Sequence, residues 1–368
     1  SKLVENNATG QGGAILMNAG GEVYDSYFYN NSANLGGAVH IGGVGASVVS
    51  GCLFENNKAI TGANKQGGAI RSQSTVATII NSKFINNDAA GNGSAIYTQV
   101  DTDKANKIIN CVFYGNKTKS ALYLRGAAVY NSTIVNNEGG GVYTATKDAQ
   151  IYNSVFWAKN KSKATVSGVD VAGVEYKNNA SITIPTFPNW TVADNIQLDT
   201  LISETNYPYF ADPLNNDWTI TYKSPLLNAA SNSIAGVPTT DFLGLARPQG
   251  SAYDIGAYEL PYCNITVTFN TGGTVNSYTS GDIIAQPKGI AMNYTITPNS
   301  GYKISAVSYN GTDVTSQLSE NVYTAPALTG ISTLNVTFKT DPGTHLSNLK
   351  STFKCFTSSN QITIEGIN

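Results

Sequence analysis

Residues able to do chemistry are few and scattered in the first 157 positions. The carboxylates there are Glu5, Glu22, Asp25, Glu55, Asp88, Asp101, Asp103, Glu138 and Asp148, and the one histidine is His40. A glycoside hydrolase needs two or three carboxylates at defined separations, and a lyase-type site gathers several around Ca²⁺ beside an Arg or Lys base. Only Asp101 and Asp103, next to Lys104, lie close together, so this pair is the single place that offers Ca²⁺ ligands. A solvated surface loop has the same composition. His345 is remote from His40 and no Cys-x-x-Cys or His-rich spacing occurs, so neither a Ser-His-Asp triad nor a resident metal is expected. No catalytic residue and no cofactor is assigned.

Five other positions suit binding: His40, Arg71, Tyr97, Tyr123 and Tyr143. Each directly follows the apolar end of a recurring block, namely Gly36-Gly37-Ala38-Val39, Gly67-Gly68-Ala69-Ile70, Gly93-Ser94-Ala95-Ile96, Ser120-Ala121-Leu122 and Gly140-Gly141-Val142. If the apolar residue points inward, these five, with Leu16 ahead of them, point to solvent in file. Three Tyr continued by Arg and His would form a flat strip of aromatic faces and hydrogen-bond donors, suited to sugar rings or a peptide partner. The alternative is that outward Tyr merely covers neighbouring strand backbone. A second outward file, Tyr29, Glu55, Ile85, Tyr114, Val135 and Trp157, is mixed in character.

The elements that must position such a strip are repeats. Asn81-Ser82-Lys83-Phe84-Ile85-Asn86-Asn87 has copies centred on Phe28, Phe54, Phe113, Ile134 and Phe156, between 21 and 30 residues apart. Each copy carries three short β-branched or aromatic segments punctuated by Gly and Asn, with no helical period. One such unit cannot bury its apolar face alone, so the copies stack. Three strands per turn make a parallel β-helix. The Phe column then points inward, with Ser26, Cys52, Ser82, Cys111, Ser132 and Ser154 inward two residues earlier, and equivalent residues lie about 4.8 Å apart. Asn81, Asn110, Asn131 and Asn153 sit at one corner, where Asn tolerates the left-handed conformation; Asn31, Asn57, Asn87, Asn116 and Asn137 serve the next.

The pairing of Gly-Gly-Ala-Ile/Val with Phe-x-x-Asn (Phe28 to Asn31, Phe54 to Asn57, Phe84 to Asn87, Phe113 to Asn116) resembles the repeats of the polymorphic outer-membrane proteins. That resemblance implies a surface β-helix passenger, an adhesin, at the extracellular or outer-membrane surface of a Gram-negative bacterium. Ser94 for the second Gly and Ile134 for Phe depart from the pattern. Further on, Phe210-Ala211-Asp212-Pro213, Ser224-Pro225-Leu226-Leu227-Asn228-Ala229, Asp241-Phe242-Leu243-Gly244-Leu245-Ala246-Arg247-Pro248 and Asp254-Ile255-Gly256-Ala257-Tyr258-Glu259 resemble the closing segment of secreted β-helix proteins of Bacteroidetes-type bacteria. This implies a cap at the end of the helix, with Arg247, Asp254 and Glu259 in a buried structural network. From Pro261 the alternating strands, the Asn310-Gly311 turn and Pro298-Asn299-Ser300-Gly301-Tyr302 resemble the small β repeats of bacterial surface proteins, including the internalin type. Ser358 to Ile364 resembles the start of a type IX secretion sorting domain.

Composition sets the outer limits. Charged residues make up 12% and the formal net charge is −2, so bulk electrostatics attract neither nucleic acid nor an anionic membrane. No apolar run is long enough to span a membrane. The opening residues lie inside a repeat, and a fragment or processed form of a longer protein is expected. Cys52 and Cys111 share one inward slot two copies apart, roughly 10 Å from each other, beyond the reach of a disulfide; Cys263 and Cys355 would pair only if the tail folds back.

The expectation is therefore an all-β chain: a right-handed single-stranded parallel β-helix of the pectin-lyase-like kind over 1–260, irregular from about 158 and capped, then a small β-sandwich-like domain over 261–340, then a linker and the start of a further β unit over 341–368. The expected role is a secreted or cell-surface, non-catalytic adhesin or binding module for a glycan or a host or neighbour-cell surface protein. A β-helix polysaccharide lyase or hydrolase and a plain surface stalk remain the alternatives.

Overall fold

A computed structural model describes residues 1–341, apart from 61, 74–75, 100–105 and 164–165. It divides into one compact unit over Ser1–Pro261 and a second that begins at Tyr262.

In the first unit the short segments of each repeat become strands of three parallel sheets, with nine, eight and seven strands. Each strand pairs with its counterpart one repeat away, so the unit is a single-stranded parallel β-helix. The nine-stranded Phe sheet holds Phe28, Phe54, Phe84 and Phe113 in register. Their rings stack at 4.6, 4.9 and 4.7 Å, nearly parallel and fully buried. Each buried Phe contributes roughly 1.5–3 kcal/mol by leaving water, and the column continues through Ile134 and Phe156. Two residues earlier, the hydroxyls of Ser82, Ser132 and Ser154 accept the backbone N–H of Cys52, Cys111 and Ser132. Cys52 and Cys111 are buried free thiols in that slot, and burial pushes the Cys111 thiol up to about 12.

Both Asn columns form. The corner residues Asn81, Asn110, Asn131 and Asn153 all have positive φ, between 43° and 51°. The other column is a buried ladder from Asn31 to Asn137. The side chain of Asn57 donates to Asn87 Oδ1 and to the Phe28 carbonyl at 3.0 Å each, and its backbone N–H reaches Asn87 Oδ1 at 3.0 Å. Paired glycines are required because coils meet there backbone to backbone: a Cβ on Gly37 would sit 2.1 Å from the Gly68 carbonyl oxygen.

The irregular coils after Trp157 extend all three sheets through Val166–Gly168, Glu175–Lys177, Ala180–Ser181, Thr191–Ala193 and Ile196–Gln197. Tyr176 lies under Phe156 at 6.0 Å, and Phe187 and Trp190 close the apolar interior.

The closing segment does not sit over the end of the helix as expected. It runs out and back along its flank. Ser231 accepts from Asn153, Thr240 accepts from Asn110, and Phe242 lies under the Lys83 ammonium at 5.1 Å. The return leg brings Arg247 to Asn110, Ala257 to the Thr133 hydroxyl and Gly256 to the Asn153 carbonyl. The outer face of the Phe sheet explains this placement: Val112, Val135, Val155 and Trp157 are apolar there and bury against Phe210, Trp218, Ile255 and Tyr258. The second outward file is thus covered from Tyr114 onward, whereas Tyr29, Glu55 and Ile85 ahead of it are half-buried.

In the second unit, a five-stranded sheet holds Tyr262–Phe269, Asp282–Pro287, Tyr302–Tyr309, Thr312–Asp313 and Ser332–Thr340, and a three-stranded sheet holds Gly273–Val275, Met292–Pro298 and Val322–Ala325. Tyr294, Val307, Tyr323 and Leu334 share the core between them. Asn310 and Gly311 both have positive φ in a two-residue hairpin. Cys263 is a buried free thiol; Cys355, with which it would pair only if the tail folds back, lies outside the described residues, like 342–368 as a whole.

Candidate functional site

The seven-stranded sheet carries the expected file in register: Leu16 beside His40, then Arg71, Tyr97, Tyr123 and Tyr143. Its strands are three residues long, so one residue per strand faces outward. The Gly-Gly-Ala turn fixes which one, because Ala38, Ala69, Ala95 and Ala121 must pack inside.

The file is not a solvent-facing strip. His40, Arg71 and Tyr97 are only 1%, 5% and 4% exposed, whereas Tyr123 and Tyr143 are half-buried. Outward on a sheet meant solvent only where no flanking segment rises beside the strand. Around Arg71 such segments do rise: its Nε donates to Gln66 at 3.1 Å, one terminal nitrogen donates to Gln73 at 2.7 Å, and the other to Gln99. The guanidinium stacks 5.8 Å from the Tyr97 ring centre. Burial, helped by the charge of Arg71, pulls the His40 imidazole down to about 4. It is neutral at ordinary pH, and its Nδ1 has no hydrogen-bond partner.

Nor does the strip present aromatic faces between its members. Tyr97 and Tyr123 stack at 4.9 Å and Tyr123 and Tyr143 at 5.1 Å, within 15° of parallel. Strand spacing forces this: identical rings one strand apart cover each other's faces and leave edges and hydroxyls outward. Beside these two half-buried rings lies a groove of about 330 Å³, lined by Asn92, Thr118, Lys119, Ser120, Tyr123 and Tyr143. Residues 92 and 118–120 were not singled out from the sequence. The available signal was the lapse of the Gly-Gly pair, where Gly93-Ser94 and Lys119-Ser120 replace it and side chains enter the turn.

Apart from Asp88, which meets the groove residue Thr118, the carboxylates are placed elsewhere. Glu55 accepts from the Tyr27 hydroxyl at 2.7 Å, Asp88 accepts from Thr118, and Glu175 accepts from Tyr152 and from Lys177 at 3.1 Å. Asp241, Asp254 and Glu259 come together in the closing segment around Arg247. Arg247 donates to Glu259 Oε1 at 2.5 Å and to the Asp254 and Gly256 carbonyls at 3.2 and 2.9 Å. The remaining carboxylate oxygens accept backbone N–H groups of Asn228, Leu243, Leu245, Gln249, Glu259 and Leu260. Burial, then the neighbouring Glu259 charge, pushes Asp254 up to about 7. With every oxygen occupied inside the protein, this cluster ties chain segments together and leaves no room for substrate. Among the described residues no three His, Cys, Asp or Glu side chains gather to hold a metal ion. Asp101 and Asp103 lie outside the described residues. No helix among the described residues is long and apolar enough to cross a membrane.

No curated protein and no solved structure matches the chain. Among protein families, residues 1–156 match the right handed beta helix region, which gives the parallel coils of the first unit their hand.

Proposed function

We propose that this protein is a non-catalytic, surface-exposed binding protein, acting outside the cell or at the outer membrane of a Gram-negative bacterium, that recognises a glycan through the outer face of its seven-stranded sheet. The observation that carries this reading is the half-exposed Tyr123–Tyr143 pair beside a polar groove of about 330 Å³. Half-buried Tyr is rigid, has few rotamers to lose, and offers an apolar edge with a hydroxyl at its tip, which suits a ligand rich in both C–H and O–H groups. The polar side chains of Asn92, Thr118, Lys119 and Ser120 supply donors and acceptors next to it.

A lyase or hydrolase reading is less well supported. The buried acidic cluster is consumed by Arg247 and backbone amides, whereas a catalytic acid needs an open position for substrate.

The test is a binding screen of the intact chain against a glycan array and a set of extracellular-matrix proteins, with and without Ca²⁺. The expected result is a carbohydrate ligand that the double variant Tyr123→Ala/Tyr143→Ala no longer binds. Binding undiminished in that variant removes the site assignment, and turnover of any glycan on the array overturns the non-catalytic reading. A protein ligand lost in the same variant keeps the site and changes its partner.

A further inference from the structure

The aromatic column stops abruptly. Tyr143 is followed in register by Ser167, on the last strand of the seven-stranded sheet. The Ser167 hydroxyl lies low, donating to the Val142 carbonyl at 3.4 Å. Gly168 and the exposed Val169 come next. One face of the Tyr143 ring is covered by Tyr123 at 5.1 Å. No ring among the described residues stacks on the other. Among the described residues the aromatic column therefore ends in a step one strand deep above Ser167: a wall formed by the half-buried Tyr143 ring and a floor of Ser167, Gly168 and Val169.

We infer that this step is a sugar-ring subsite in which one pyranose ring takes the place of the missing side chain, its C–H face on Tyr143 and its edge over Ser167. Three features select this occupant. The column spacing of 4.9 to 5.1 Å is that of one ring per level, so the level of Ser167 has room for one ring-shaped group. The wall is a flat electron-rich face, which attracts the weakly positive C–H face of a pyranose. The rim is polar, with Lys119, Ser120 and Thr118 of the adjoining groove placed to meet the hydroxyls of neighbouring sugars. Elsewhere in the column both faces of each Tyr are covered, Tyr97 by Arg71 and Tyr123, and Tyr123 by its two neighbours, so among the described residues this is the one level at which stacking with a ligand is open. Ser167 is then the residue that sets specificity, by being small.

This inference rests on the glycan-binding reading, and its test separates the two. The intact chain is titrated calorimetrically with hexasaccharides of β-linked glucose, mannose and N-acetylglucosamine and of α-linked galacturonate. At least one is expected to bind. Tyr143→Ala should weaken that binding about tenfold or more, the loss of a single good contact. Ser167→Tyr should extend the tyrosine column, keep or raise Tm, and weaken binding by a similar factor because the added ring fills the step. Ser167→Ala should bind within about twofold of the parent. A folded Ser167→Tyr variant that binds like the parent overturns the subsite while leaving the glycan-binding reading intact. If no hexasaccharide binds the folded parent, the subsite is overturned; whether the face binds another ligand is then decided by the array screen and the Tyr123→Ala/Tyr143→Ala variant.

Discussion

At the scale of single residues the stacked columns make each side chain answerable to its neighbours one coil away. Asn87 shows the cost of removal most directly. It donates to Phe54 O and Asn116 Oδ1 and accepts from Asn57 twice. Asn87→Ala therefore orphans donors and acceptors in two adjacent coils, and at about 1–3 kcal/mol for each unsatisfied buried group the loss should amount to several kcal/mol, read as a fall in the denaturant midpoint. His40 makes a different prediction. Its folded value of about 4 lies below the ordinary 6.5, so the unfolded chain binds the proton first as pH falls. Its contribution is fully present above about pH 6.5 and is lost as pH drops toward 4, by at most about 3 kcal/mol. Thermal melts at pH 7 and pH 4.5 should differ less in His40→Gln than in the parent; an unchanged difference would remove His40 as the cause. The inward residues and both Asn columns were legible in the sequence because period-two alternation, once anchored on Phe84, applies to every copy. Exposure at His40, Arg71 and Tyr97 was not, since the alternation reports which side of a sheet a residue occupies and says nothing of Gln66, Gln73 and Gln99 rising beside it.

At the scale of elements the coil and the closing segment obey different rules. Coils are held by backbone contact, so Gly37→Ala, with its Cβ 2.1 Å from the Gly68 oxygen, should destabilise strongly. Gly330→Ala, where nothing lies within 4 Å, should be nearly neutral; equal effects in the two variants would contradict backbone-to-backbone packing as the reason for the paired glycines. The closing segment is instead fastened at points. Arg247→Met leaves Glu259 buried without its cation, at a cost of about 3–5 kcal/mol, and should free the segment to proteolysis between residues 231 and 256 while the coils stay protected. The resemblance carried by Asp241 to Glu259 pointed to Arg247, Asp254 and Glu259 in this network but neither to the part Asp241 plays in it nor to where it docks. No local pattern encodes docking; it follows from the apolar outer residues Val112, Val135 and Val155, which look like ordinary strand residues until the opposite face is known to be covered.

At the scale of the whole molecule the two units have separate cores, one built on Phe and Ile columns and the other on Tyr294, Tyr323 and Leu334. Residues 262–341 expressed alone should therefore give a cooperative thermal transition and dispersed NMR signals; a disordered spectrum would show that the division is not a folding boundary. The first unit should behave as a stack in which each coil leans on the next. The path of the closing segment bears on how that stack carries load. Between the levels of Lys83 and Asn153 it acts as a batten nailed across the rungs, at Asn110, Thr133 and Asn153. Tension along the axis is shared there among several levels at once. Ahead of Lys83 no such brace crosses the coils among the described residues, so a pull should unzip those levels one by one and stall where the batten begins.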